Sequence, residues 1–223
     1  MTQRLIERIP VPQSEVWTDE PGAACLWVGY FIEEAVERGY EEDELPPEVL
    51  RFLDVWEYHG ECCNGGHAQY YENEEDSRPR LKLMAKFLKT IGLPEHGRLI
   101  EDFEHFSIRN EGKIDDLYGR EENGAVKEMF YGFDDRFTQL EQSEGKLVDC
   151  LAEWLLQQPW IEIEETGQSG DVTRLRQLIA DPPDREARLA AKMRRREAEN
   201  RGALLAFARG FLAYRTQGPK PDR

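Results

Sequence analysis

Apolar residues recur along this chain every three to four positions, in runs cut by glycine and proline, and this spacing restricts the fold to helices packed on helices. Pro21 and Gly22 open a segment whose apolar residues fill most positions from Ala23 to Val36, with Gly39 placed to end it. Pro46-Pro47 stand where the next helix begins, and Val49, Leu50, Leu53 and Trp56 share one face of it. Leu81, Met84, Leu88 and Ile91 form a third stripe, stopped by Gly92 with Pro94 just beyond. Leu99, Ile100, Phe103 and Phe106 form a fourth, and Val126, Met129, Phe130, Phe133, Phe137 and Leu140 a fifth. Ser143 is expected to cap a sixth helix carrying Leu147, Leu151, Trp154 and Leu155, which Pro159 ends. Trp160 to Glu164 alternates apolar and acidic residues, but one run of that length does not establish a sheet. The fold class read from this pattern is all-α, a compact helical domain of about six or more helices.

Charge divides the chain. Residues 1–165 hold 38 acids against 16 bases, a net of −22, whereas residues 166–223 hold 7 acids against 13 bases, a net of +6. The sign change places a boundary between an acidic domain, 1–165, and a basic helical extension, 166–223. In the extension, Gly167 to Gly170 reads as a linker, and Val172, Leu175, Leu178 and Ile179 mark a short helix broken at Asp181-Pro182-Pro183. One long helix is expected from Asp184 to about Tyr214, with a frayed tail from Gly218 to Arg223. A body this acidic repels nucleic acid and membrane surfaces and attracts basic partners.

Several classes are set aside on the same residues. Met1 to Gln13 has no apolar h-region, so no secretory signal is expected. The longest apolar run, Ala23 to Ile32, is ten residues, where a bilayer span needs about 20. The four cysteines then read as reduced thiols in a cytoplasmic protein. No phosphate loop, dinucleotide fingerprint, His-Glu-x-x-His pair or nucleophile elbow occurs. His59, Cys62, Cys63 and His67 suit zinc in type, but adjacent cysteines diverge by about 100° on a helix and Asn64-Gly65-Gly66 interrupts the stretch. No metal, no cofactor and no catalytic residue is therefore expected.

The least generic stretch runs from Glu61 to Asn73. Asn64-Gly65-Gly66 permits a positive φ or a close backbone approach between two helical segments, and Asn64 could cap the second. Gln69 and Asn73, four apart, share a face and could share a hydrogen bond, with Tyr70 between the protein's bulk and solvent. The residues themselves read as a helix-to-helix joint with a polar lock, and secondarily as part of a cleft.

The order Asn64-Gly65-Gly66, Gln69-Tyr70, Asn73 resembles the defining motif of a bacterial family that includes a characterised DNA-mimic protein. Residues 81–106 look like that family's next two helices, and Asp134-Asp135-Arg136-Phe137 looks like a step near its end. The likeness covers roughly residues 48–163, with one departure: His67 stands where the family commonly has a bulky apolar or aromatic residue. It implies an all-helical fold. For the characterised member it implies a dimer whose carboxylates imitate DNA phosphates and which competes with an operator for a DNA-binding regulator.

Four acidic blocks could supply such a surface. The densest is Glu33, Glu34, Glu37, Glu41, Glu42, Asp43 and Glu44; the others are Glu72, Glu74, Glu75 and Asp76, then Glu101, Asp102 and Glu104, and Glu162, Glu164 and Glu165. Carboxylates three or four apart on a helix lie roughly 5–6 Å apart at Cβ, while B-DNA carries one charge per about 1.7 Å of axis, so rows on neighbouring helices could approximate phosphate spacing. The expected role is a non-catalytic acidic surface that binds a basic, DNA-binding protein, with a homodimer as one assembly. The alternatives are an immunity-type protein neutralising a basic toxin, and a small-ligand or metal-binding protein using His59 to Asn73.

Overall fold

The computed structural model describes residues 5–16, 22–73, 78–143, 145–165 and 172–194. Glu74, Glu75 and Asp76, the expected linker at Gly167–Gly170, and residues 195–223, where the rest of the long basic helix and the tail were expected, lie outside them. In order come β1 (Ile9–Pro12), α1 (Gln13–Val16), α2 (Gly22–Glu37), a 3-10 turn at Glu42–Glu44, α3 (Val49–Asn73), α4 (Arg78–Thr90), α5 (Pro94–Gly119), α6 (Asn123–Ser143), α7 (Leu147–Leu156), β2 (Ile161–Glu164) and α8 (Val172–Leu178), with residues 185–194 helical again. The fold is all-α, with two short strands among the described residues. Gly39 (φ 99°) and Gly92 (φ 90°) take the left-handed conformation that ends α2 and α4, where the apolar stripes stop.

The helix α3 is the common member of the packing: it touches α4, α6 and α7, while α4 pairs with α5, α5 with α6, and α2 with α7. Its buried face, Val49, Phe52, Val55 and Tyr58, meets the buried stripes of its neighbours, including Met84 and Leu88 of α4, Phe103 of α5, Phe130 of α6 and Leu151 of α7. Each such side chain removed from water adds roughly 1.5–3 kcal/mol.

The alternating run at residues 161–164 does form a strand. Its partner is Ile9–Pro12, in parallel register from Ile9 opposite Ile161 to Pro12 opposite Glu164. Two prolines in β1 are tolerated because a two-stranded ladder leaves each strand one free edge. The Trp27 indole N–H donates to the Pro10 carbonyl at 2.8 Å and ties the ladder to α2.

The described part of the basic extension packs against α2. Leu175 and Ile179 are buried, and Arg38 donates to the carbonyls of Arg176, at 2.7 Å, and Ile179. Arg188 grips both carboxylate oxygens of Glu44, at 2.6 and 2.9 Å. That guanidinium and, against it, the cost of burial set the Glu44 carboxyl below its ordinary value.

The sixth helix starts differently from the sequence reading. Ser143 is the last residue of α6, and α7 begins at Leu147, whose N–H donates to the Glu141 carboxylate at 2.8 Å. A carboxylate from the preceding helix therefore satisfies an N-terminal donor that a local hydroxyl was expected to take. Glu141 also lies 3.6 Å from His59 Nε2 and 3.7 Å from His96 Nε2. Burial pushes its carboxyl up, but the pull of both imidazoles and the Leu147 N–H outweighs this and holds it at about 2, against an ordinary 4.5.

Because that value is depressed on folding, the stabilisation is full above pH 4.5 and is lost as pH falls towards about 2. Glu141→Gln is expected to cost about 3 kcal/mol near neutral pH and to flatten the acid limb of the stability curve. Urea unfolding of both proteins near neutrality and at about pH 3 reads this directly; parallel pH profiles for the two would refute it.

Candidate functional site

Inside α3, Gly66 leaves the helical region, at φ 76° and ψ −172°, so the element is two helical segments meeting at a bend. This conformation is open essentially to glycine alone. A Cβ on Gly66 would also stand 2.7 Å from an oxygen of Asp134, and one on Gly65 would stand 2.1 Å from the Gln69 side-chain oxygen. Both glycines thus give room to a polar side chain, which is why the motif needs two.

Asp134, on α6, provides the lock. One of its oxygens accepts the His67 backbone N–H at 2.8 Å and the His67 Nδ1–H at 2.7 Å. The first bond caps the second segment of α3 from another helix, in place of the local cap expected from Asn64. With Nδ1 donating, Nε2 is left to accept from the Tyr58 hydroxyl at 2.8 Å. Burial alone would raise the Asp134 carboxyl; the two His67 hydrogen bonds reverse that and lower it. His67 is fully buried, with its ring centroid 5.0 Å from Phe103 and 5.7 Å from Phe133. The unusual histidine of the motif is thus an internal strut.

The remaining motif residues split between surface and core. Gln69 and Asn73 both donate to one oxygen of Glu61, each at 2.7 Å, so the expected shared face exists and a carboxylate joins it. Tyr70 is buried rather than at the boundary with solvent, its hydroxyl against Met84 Sδ at 3.7 Å. Burial pushes the Cys25 thiol to about 12 and the Cys62 thiol well above its ordinary value, which keeps both protonated and poor nucleophiles. His59 faces Glu141 and Cys63, and among the described residues no group of three or more His, Cys, Asp or Glu side chains is arranged to hold a metal ion.

The acidic residues sort by burial. Glu33, Glu37, Glu41, Glu42 and Asp43 are exposed along the end of α2 and the 3-10 turn. Glu34 is half-buried and shared by Arg38 and Arg176. Glu44 is 4% exposed and Glu104 5%, so these two face inward and serve the interior. Glu101 pairs with Lys89, Asp102 with Arg136, and Glu164 with Arg174. Glu72 is exposed, and the structure brings Asp115 and Glu121 to the same cleft. The sequence reading missed both because Asp115 sits near the end of α5 and Glu121 in the turn after it, far from the acidic run at Glu72.

Gly66→Ala is expected to cost at least about 2–3 kcal/mol, from the disallowed φ and the contact with Asp134, and to lower the thermal midpoint by several degrees. A midpoint within one degree of the parent protein would show that the bend is not imposed at Gly66.

Residues 43–158, just over half of the chain, match the family model described as DMP19-like protein. The match takes in the bend, Asp134 and the Glu72 cleft, and leaves out Glu33, Glu34, Glu37, Glu41, Glu42 and the basic extension. No curated protein and no solved structure matches the chain.

Proposed function

The chain belongs to the DMP19-like protein family, and from that premise we propose that it is a non-catalytic DNA mimic, binding a basic, DNA-binding protein with carboxylates in place of phosphates. The observation that carries this reading is the row Glu33, Glu37, Glu42 and Asp43, exposed and engaged in no ion pair among the described residues. Glu33 and Glu37 are one helical turn apart on α2, which separates them by roughly 5–6 Å at Cβ. Neighbouring Glu34 and Glu44 are neutralised by Arg176, Arg38 and Arg188, which leaves the open charge of this segment to the exposed carboxylates.

Unpaired surface carboxylates cost solvation only when a partner covers them, and a cationic partner repays that through charge-assisted hydrogen bonds. Such an interface is steered at long range and weakened by salt, as a protein–DNA interface is. No helix among the described residues is long and apolar enough to cross a membrane, which suits an encounter in solution.

The test is capture of partners by the tagged full chain from its own cell lysate, alongside a variant carrying Glu33→Lys, Glu37→Lys, Glu42→Lys and Asp43→Lys. A DNA-binding protein is expected, released by duplex DNA and by raised salt, and retained at least roughly tenfold less by the variant. A partner indifferent to salt, to DNA and to the four substitutions would overturn the reading. A basic toxin held in place of a regulator would replace it with the immunity-type alternative.

A further inference from the structure

The motif residues Gly65 and Gln69 also line the inner end of a cleft between the second half of α3, the end of α5 and the start of α6. Its outer cavity, about 510 Å³, is bounded by Tyr71, Glu72, Asp115, Tyr118, Glu121 and Asn123. An inner cavity of about 160 Å³ shares Glu72, Tyr118 and Asn123 and continues to Gly65, Gln69 and Lys127. The outer volume falls within the range of small-ligand sites, about 300–1,000 Å³.

The walls are aromatic and the rim is anionic. Tyr71 and Tyr118 lie nearly parallel, 11° apart with centroids at 6.4 Å. The Tyr118 hydroxyl donates to the Ala68 carbonyl at 3.3 Å, which fixes that ring against α3. Among the described residues, Glu72, Asp115 and Glu121 are exposed and form no ion pair, and Lys127 is the one base in the lining. Arg120, next to Glu121 in the chain, is already held by Asp116 at 2.9 Å and Glu122 at 3.1 Å. Glu121 has a positive φ of 59° where α5 ends, a position that glycine or asparagine would occupy with less strain.

Ligand classes separate on these walls. Three carboxylates repel phosphate, so the cleft does not suit a nucleotide. A neutral aromatic ring would leave those carboxylates covered and unpaired. An ammonium is compact and strongly hydrated and gains little from flat tyrosine faces. A guanidinium is planar and weakly hydrated, stacks on aromatic rings, and offers a fork of donors to carboxylates. We propose that this cleft takes an arginine side chain of the basic partner, its guanidinium over Tyr118 and Tyr71 and its donors on Glu72, Asp115 and Glu121. The assignment rests on the DNA-mimic reading and adds to it a specific pocket for one side chain of the partner.

The probe is Nα-acetyl-arginine amide, titrated into the isotope-labelled full chain by NMR, with Nα-acetyl-citrulline amide as an uncharged analogue of like shape. Saturable shifts are expected at the Gln69 and Asn123 side-chain amides with the arginine compound alone. Glu72→Gln combined with Asp115→Asn, both on the surface, is expected to weaken binding about tenfold or more. Equal shifts from the citrulline compound, no saturable shift, or unchanged affinity in the double variant would overturn the proposal. The capture experiment separates the two ideas. A DNA-binding protein retained in full by the double variant overturns the cleft as a partner contact and leaves mimicry standing. Arginine binding without any DNA-displaceable partner overturns mimicry and leaves the cleft as an arginine site.

Discussion

One carboxylate oxygen, on Asp134, holds together the part of the molecule that its motif identifies. By accepting both N–H groups of His67 at 2.8 and 2.7 Å, it caps the second segment of α3 and orients the imidazole towards Tyr58. A buried histidine is costly unless its polar atoms are satisfied, and here Tyr58, Phe103, Phe133 and Phe137 enclose the His67 ring while the Asp134 carboxylate that serves it stays partly exposed. The bend at Gly66 exists to let that carboxylate in. From the bend follow the direction of the second segment, the carboxylate clamp of Gln69 and Asn73 on Glu61, and the place of Tyr71 and Glu72 on the cleft.

The helices were legible because each buries one stripe, and a stripe at period 3.6 is local information. Gly39, Pro46-Pro47, Gly92 and Pro94 punctuate the chain where the elements end and begin. What could not be read depends on partners distant in sequence. The strand at residues 161–164 needs Ile9–Pro12, two prolines of which argue locally against a ladder. The role of His67 needs Asp134, 67 positions away. The start of α7 needs Glu141 from the previous helix, where only the nearby Ser143 was visible as a cap.

The acidic surface was legible as composition and less so as geometry. Runs of glutamate do not reveal which member faces inward, and Glu44 and Glu104 are both buried. Glu44 is drawn in by Arg188 of the basic extension, so the change of charge sign near residue 166 has a use within the molecule. The extension neutralises Glu34 and Glu44 while Glu33, Glu37, Glu42 and Asp43 remain open. The cleft draws Glu72 of α3, Asp115 of α5 and Glu121 of the turn after α5 together, which no linear pattern announces.

The most direct measurement of the central claim is an equilibrium competition among this protein, its captured DNA-binding partner and duplex DNA bearing the partner's site. Mimicry requires that the protein and the duplex exclude one another, so that added protein releases DNA fully and the apparent affinity falls in proportion to DNA concentration. A stable ternary complex, or a partner whose affinity for this protein does not respond to DNA, would contradict it.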